Sequence, residues 1–404
     1  MKAVMYGGGN IGRGFIGAKL AQSGYEVTFV DVAEQVVNLL HERGRYPVRI
    51  VLGGGEYRDE WISHVDALNG NDAQAVSDAI SEADIMATAV GVNVLKFIAP
   101  NIAAGLRKRF ARGDRPLNIL ICENLLNADK VLAELIKGYL TPEERTLFDQ
   151  RVGMVEASIG RMVPVQTEDM KAGEPLRVCV EAYDFLPVDK DGFRGPIPAI
   201  NGLVPYAPFG FYIERKLFVH NMGHALCAYL GGYEGMTYIS EAIARPEIRI
   251  LAENAMLESA LALSKAFGVP MEGLLLHIQD LLHRFSNTDL HDTCARVGGD
   301  PKRKLGPTDR LIGAAGLCLR EGVCPAFTSA GAAGALYRYL NEAGEPQSEE
   351  HAAGALISIA GEAADKALQA IILPLYDLLL AGEPVGAVLH AADEVCASQL
   401  HGVI

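Results

Sequence analysis

The chain opens with the apolar run Met1–Tyr6, continues with Gly7-Gly-Gly-Asn-Ile-Gly12, and then reads as a helix from Arg13 to Ala21. A strand, a glycine turn and a helix in that order form the G-x-G-x-x-G fingerprint. Gly7 permits the tight turn, Gly9 lets the backbone approach a pyrophosphate, and Gly12 lets helix and strand pack closely. Asn10 and Ile11 stand at the helix N-terminus, whose unsatisfied N–H groups suit phosphate. A second apolar strand, Val27–Val30, ends in Asp31, nineteen residues after Gly12, close to the expected spacing of about 20. A carboxylate there accepts hydrogen bonds from a ribose 2′-hydroxyl and repels a 2′-phosphate. The expected cofactor is therefore NAD rather than NADP. Asp31 would also serve as a cap for the helix that follows it.

The first half then alternates strand and helix. Strands are expected over 3–6, 27–30, 85–90, 117–122 and 152–157, and helices over 11–22, 34–42, 73–81, 94–110 and 128–137. That alternation gives an α/β fold with a Rossmann-like, doubly wound parallel sheet. The stretch 47–65, with Gly53-Gly-Gly55 in its middle, reads as an inserted hairpin, and 176–184 as a further strand. The glycine- and proline-rich segment 192–208 has no period and marks a junction. Beyond it helices are expected over 209–230, 237–243, 246–267, 271–285, 307–319 and 352–381. The expected organisation is a cofactor domain over 1–195 and a mostly α-helical domain over 205–404. Ligands of such sheets bind outside the carboxyl ends of the strands. Val90, Asn93, Glu123 and Asn124 fall there and are candidates for the nicotinamide half of the cofactor, although a turn and a helix cap suit them equally.

The helical half carries Lys216, Asn221 and His224 in one run. At about 100° per residue, Asn221 lies roughly 140° from Lys216 and His224 roughly 80°. An amine, an amide and an imidazole on one side of a helix also occur on ordinary solvated faces. Here the fillers Leu217-Phe218-Val219 and Ala225-Leu226 point to a buried helix, and burial disfavours an ammonium. A lysine so held can act as a general base while the other two steady an alkoxide and orient the base. Oxidation of an alcohol without a metal needs those three tasks.

Charge narrows the partners. The net charge of −14 argues against nucleic acid and anionic membranes. No apolar run reaches the length of a membrane span; 370–380 comes nearest, and Asp377 interrupts it. The first residues already form a strand, so no leader is expected. Seven scattered cysteines without a C-x-x-C pair suggest reduced thiols and a cytoplasmic protein. His220 and His224 are four apart, but no H-E-x-x-H pattern accompanies them, and no metal site is expected. The run Arg296–Lys304 gathers four basic residues, and such residues can hold a phosphate or form a solvated loop. The oligomeric state is left open.

The motifs GGGNIGRGFIG (7–17), Val30-Asp31, Cys122-Glu-Asn124, YIERKLF (212–218), Asn221–His224 and 292–312 together resemble the polyol-specific long-chain dehydrogenase family. The likeness runs nearly end to end, and the K-x4-N-x2-H spacing is characteristic. It implies NAD-dependent, metal-independent oxidation of mannitol 1-phosphate to fructose 6-phosphate, reversibly. Lys216 would be the general base, Asn221 would steady the alkoxide, and His224 would position the hydroxyl or the lysine. Arg161, Arg215 and Arg303 are the candidates for holding the substrate. One departure stands out: the family carries aspartate before the arginine of a D-R-I-x-P segment, and this chain has Gly160-Arg161-Met-Val-Pro164. In the family that acid helps hold the polyol. An unphosphorylated polyol or a sugar acid of the fructuronate or altronate type is the alternative substrate. A non-catalytic NAD-binding protein is the alternative of another class.

Overall fold

A computed structural model describes residues 1–400 apart from Asp114, Leu126, Val165 and Gln347, with the backbone alone at Gln399 and Leu400. The chain divides into two units, Met1–Gly210 and Phe211–Ile404.

The first unit is built on a six-stranded parallel sheet in the order β5-β2-β1-β6-β7-β8. Its strands are β1 Lys2–Tyr6, β2 Glu26–Asp31, β5 Val65–Asn69, β6 Ile85–Thr88, β7 Leu117–Ile121 and β8 Val152–Glu156. This is the doubly wound order, which reverses between β1 and β6. Residues alternate between the two faces. Ala3 and Met5 join one buried cluster with Phe15, Phe29 and Tyr46, while Val4 and Tyr6 join another with Ile80, Ile102 and Leu132. Both faces are covered, so the strands read as apolar runs.

Helix α1 starts as a π-type stretch, Gly12–Gly17, and continues as regular helix over Ala18–Gln22. It lies so close to the first turn that a Cβ on Gly12 would sit 1.9 Å from the Gly7 carbonyl oxygen. After α2 Glu34–Arg43, the inserted hairpin is β3 Arg45–Gly53 with β4 Glu56–Ser63, paired antiparallel. A parallel strand, β9 Val178–Glu181, completes its three-stranded sheet. Helices α3 Ala73–Glu82, α4 Leu95–Arg112, α5 Ala128–Lys137 and α6 Pro142–Arg151 complete the crossovers, and the short α7 Glu168–Lys171 precedes β9.

The unit extends through the segment read as a junction. Strands β10 Leu186–Asp189 and β11 Leu203–Tyr206 pair in parallel. The Ser158 N–H donates to Pro187 O at 3.0 Å, which ties this pair to the end of β8. The glycines and prolines of 192–208 thus mark turns within the first unit, and the division falls at Gly210.

The second unit is helical. A long helix begins as α8 Gly210–Arg215, widens into a π-type turn over Lys216–Asn221, and continues as α9 Met222–Tyr233. It is followed by α10 Ile239–Ala244, α11 Pro246–Phe267, α12 Met271–Phe285, α13 Cys294–Val297, α14 Pro301–Lys304 and α15 Ile312–Arg320. Helix α16 Ala326–Ala343 packs against α9 and α11 and was not expected from sequence. The single helix expected over 352–381 is two, α17 Glu349–Ala360 and α18 Lys366–Leu380. Gly361 breaks it at φ 58°, and Asp365 caps the second with its side chain. Helix α19 Val385–Leu400 closes the description. Glu258 caps α16, accepting from Phe327 N, Thr328 N and Thr328 Oγ1 at 2.9, 2.8 and 2.7 Å. Burial pushes this carboxyl up to about 7. Among the described residues no helix is long and apolar enough to cross a membrane.

The contact at Gly12 is testable. Gly12→Ala must push the first turn away from α1, and overpacking of this kind costs about 1–3 kcal/mol. A lowered unfolding midpoint in denaturant is expected; an unchanged midpoint would contradict the packing described.

Candidate active site

The glycine turn is held from several sides. Gly7 has φ +104°, and its N–H donates to Val30 O at 2.8 Å. The Gly8 N–H donates to Asp31 Oδ2 at 2.7 Å, and the Ala33 N–H to Asp31 Oδ1 at 3.0 Å. Asp31 therefore fixes both the turn and the entry to α2. Each oxygen keeps a lone pair, because a carboxylate offers about four acceptor sites. The buried Arg13 donates through Nη1 to Gly8 O, a brace that sequence reading passed over. A Cβ on Gly9 would meet nothing within 4 Å. Open space over Gly9, beside the start of α1, is what a pyrophosphate requires. Between Asp31 and α2 the chain offers Val32 and Ala33, and α2 opens with Glu34, so no cation stands there for a 2′-phosphate. These residues fit NAD.

Two further loops leave the carboxyl ends of β6 and β7. Val90 N and Gly91 N donate to Glu123 Oε1 and Oε2 at 2.9 and 2.8 Å. Glu123 is buried, so its oxygens hold the β6 loop, a task different from the cofactor contact expected of it. Asn93, on the short turn Val92–Val94, and Asn124 are exposed, and Val90 is half-buried.

In the second unit the expected regular helix is corrected at the residues of interest. Hydrogen bonds in a π-type turn run from i to i+5, so Lys216 and Asn221, five apart, stand nearly above one another. In a regular helix, at about 100° per residue, the same two side chains share one side but lie roughly 140° apart. Lys216, Asn221 and His224 are each half-buried. His224 has two strong neighbours. Its ring stacks on Phe285, with centroids 4.8 Å apart and 11° between planes, and its Nε2 lies 3.1 Å from Asp292 Oδ2. Burial pushes the Asp292 carboxyl up, but His224 and Arg296 outweigh it and hold the carboxyl below its ordinary range. His220, also on the π-type turn, is buried. Desolvation, helped by Arg284, His224, His277 and Lys216, lowers its pKa well below that of ordinary imidazole. His277 is lowered to about 3 by burial, with Arg215 and Arg284 contributing. A cationic neighbourhood thus surrounds the wide turn in a chain of net charge −14.

Two sequence profiles match the chain: one described as the mannitol dehydrogenase Rossmann domain over residues 1–202, the other as the mannitol dehydrogenase C-terminal domain over 210–370. The chain belongs to the mannitol dehydrogenase family. Among similar proteins, the mannitol-1-phosphate 5-dehydrogenase of Geobacillus thermodenitrificans is 42% identical over 77% of this chain and 80% of its own length. That of Bacillus subtilis is 38% identical over 92% and 99%. Among solved structures, the Pseudomonas fluorescens mannitol 2-dehydrogenase ternary complex with NAD and D-mannitol aligns with a TM-score of 0.77 at 16% identity, covering 96% of this chain and 94% of that one. A D-sorbitol dehydrogenase gives 0.80 at 15% identity with the same coverage. At those identities the two structures speak for the fold.

The remaining candidates of this mannitol dehydrogenase family member are tied to protein groups. Arg161 is buried over the Phe15 ring at 4.6 Å. It donates to Gly14 O at 3.0 Å and to Tyr183 O, and its Nη2 lies 3.4 Å from Asp184 Oδ1. A Cβ on Gly160 would meet the Tyr183 ring at 3.0–3.2 Å, so any side chain there requires the ring to give way. Arg215 lies 4.7 Å over Tyr212. Arg303 pairs with Asp300 at 2.8 Å and Asp309 at 2.9 Å. Lys304 is buried with Nζ on Gly299 O, and burial, with Arg310 and Arg303, lowers its pKa to about 8. Asp292, missed by the spacing argument, lies in the 292–312 motif but far from His224 in sequence.

Two outcomes are expected. Glu123→Gln replaces one loop acceptor by a donor, which costs about 1–3 kcal/mol. Amide exchange at Val90 and Gly91 should accelerate about tenfold, and unchanged exchange would refute the clamp. His277 has a folded pKa of about 3 against 6.5 for ordinary imidazole. The stability gained by keeping it neutral is present above about pH 6.5 and lost as pH falls toward 3. The melting temperature should fall across that window more steeply than in His277→Gln; parallel curves would exclude the effect.

Proposed function

We propose that this protein catalyses the reversible, NAD-dependent oxidation of mannitol 1-phosphate to fructose 6-phosphate. The reading is carried by the mannitol-1-phosphate 5-dehydrogenases at 38–42% identity, together with an intact Lys216, Asn221 and His224 on the widened turn. The turn of Gly7, Gly9, Asn10, Ile11 and Gly12 holds the pyrophosphate, and Asp31 the adenosine ribose. Val90, Asn93 and Asn124 face the nicotinamide half, on loops that Glu123 fixes. NAD, when bound, accepts the hydride from the carbinol carbon.

Lys216, in its uncharged form, takes the hydroxyl proton on Nζ. Asn221 donates from its side-chain amide to the oxygen as charge builds there. His224 accepts a hydrogen bond that orients the hydroxyl or the amine. No metal is invoked, because amine and amide between them supply the base and the charge stabilisation. Arg215 and the basic run 296–304 supply positive charge for the substrate phosphate, with Arg303 sharing its fork between that anion and its two aspartates. Arg161, braced by Gly14 and Asp184, shapes the substrate side of the first unit. All seven cysteines are free thiols, which supports a cytoplasmic setting; nucleic acid and membranes are not partners on this reading.

Lys216→Ala should lower turnover by about 10²–10⁴-fold, the usual contribution of a general base, with NADH affinity unchanged. More than a tenth of the activity remaining would overturn the assignment. NADH oxidation should require fructose 6-phosphate, and equal rates with fructose would reject the phosphate.

A further inference from the structure

We propose that Asp292 is a positioning residue that fixes the tautomer and orientation of His224, with Arg296 holding Asp292 in turn. The inference rests on the reading that His224 works beside Lys216 and Asn221. Asp292 is 8% exposed, and its two oxygens have separate partners. Oδ2 faces His224 Nε2 at 3.1 Å. Oδ1 accepts from Arg296 Nε at 2.8 Å and lies 2.6 Å from Nη2. The contact to Nε2 lies off the line of a well-formed hydrogen bond, and the stack on Phe285 fixes the ring plane.

The backbone keeps this arrangement in register. Asp292 O accepts from Ile239 N, and Cys294 N donates to Thr237 O, each at 2.9 Å. Both strap the acid to the turn that directly follows α9, the helix carrying His224. Acid and imidazole are thus joined by the main chain as well as by charge.

A carboxylate facing Nε2 keeps the proton there, because the partner of one ring nitrogen sets the state of the other. Nδ1 is then the acceptor, and it turns away from Asp292. An acceptor at that place can receive the substrate hydroxyl or an N–H of Lys216, whereas the opposite tautomer would present an N–H that occupies the lone pair a neutral amine needs to act as base. The charged and titratable groups beside the neighbouring His220 include Lys216 and His224 on the same helix and Arg284 and His277 on α12, and Arg284 is itself paired with Asp280 at 3.2 Å.

The test begins with the wild-type protein: ¹⁵N shifts of the His224 imidazole should report Nε2–H, and an Nδ1–H tautomer overturns the proposal without any substrate. Asp292→Asn should then lower kcat about 10- to 100-fold and leave NADH affinity within about twofold. In a His224→Asn background the Asp292→Asn change should add no further loss, as expected for groups that act as one unit. Full activity in Asp292→Asn, or losses that multiply in the double variant, would sink the proposal. Wild-type protein inactive on both sugar phosphates would sink the functional reading instead, while the tautomer measurement still decides the role of Asp292.

Discussion

The first helix approaches the first turn so closely that position 12 has no room for any side chain. That single contact constrains most of the N-terminal unit. With α1 against the turn, the Gly7 N–H reaches Val30, the Gly8 N–H reaches Asp31, and Arg13 folds back over the loop. The result is a rigid cradle whose free face lies over Gly9. Rigidity matters, because a phosphate-binding turn that had to be ordered by its ligand would bind it more weakly.

The parts legible in sequence are those with local chemistry. Glycine spacing, the apolar runs of the parallel strands and the position of Asp31 all depend on neighbours close along the chain, and the sheet follows from them. What escaped depends on distant neighbours. Helix α16 reads AFTSAGAAGALYRYLNEA and is buried for most of its length. A helix enclosed on every side has no polar face, so no periodic stripe announces it. Its glycines are close-approach points: a Cβ on Gly331 would meet Leu226 at 3.2 Å, and one on Gly334 would meet Tyr229 at 3.0 Å. Strand β5, only five residues long, begins at the last residue of the stretch expected as a hairpin, and no separate strand is expected there.

The catalytic candidates divide in the same way. Lys216, Asn221 and His224 lie within nine positions of one another, and their types and order are readable. The widening of the turn between them is not, since no proline or glycine falls within 216–221. Nor could spacing find Asp292, which lies 68 positions beyond His224 and meets it only through the folding of α9, α12 and the loop before α13. The place of Glu123 just beyond β7 is readable in sequence, but the bonds its carboxylate accepts from Val90 N and Gly91 N on the neighbouring loop are not.

The tyrosine ring pressed against Gly160 makes these two positions a locked pair. An acid introduced at 160 alone collides with the aromatic, and a smaller residue at 183 alone opens a hollow beside a glycine. The cost of an exchange at either position therefore depends on what stands at the other, and the two are best changed together.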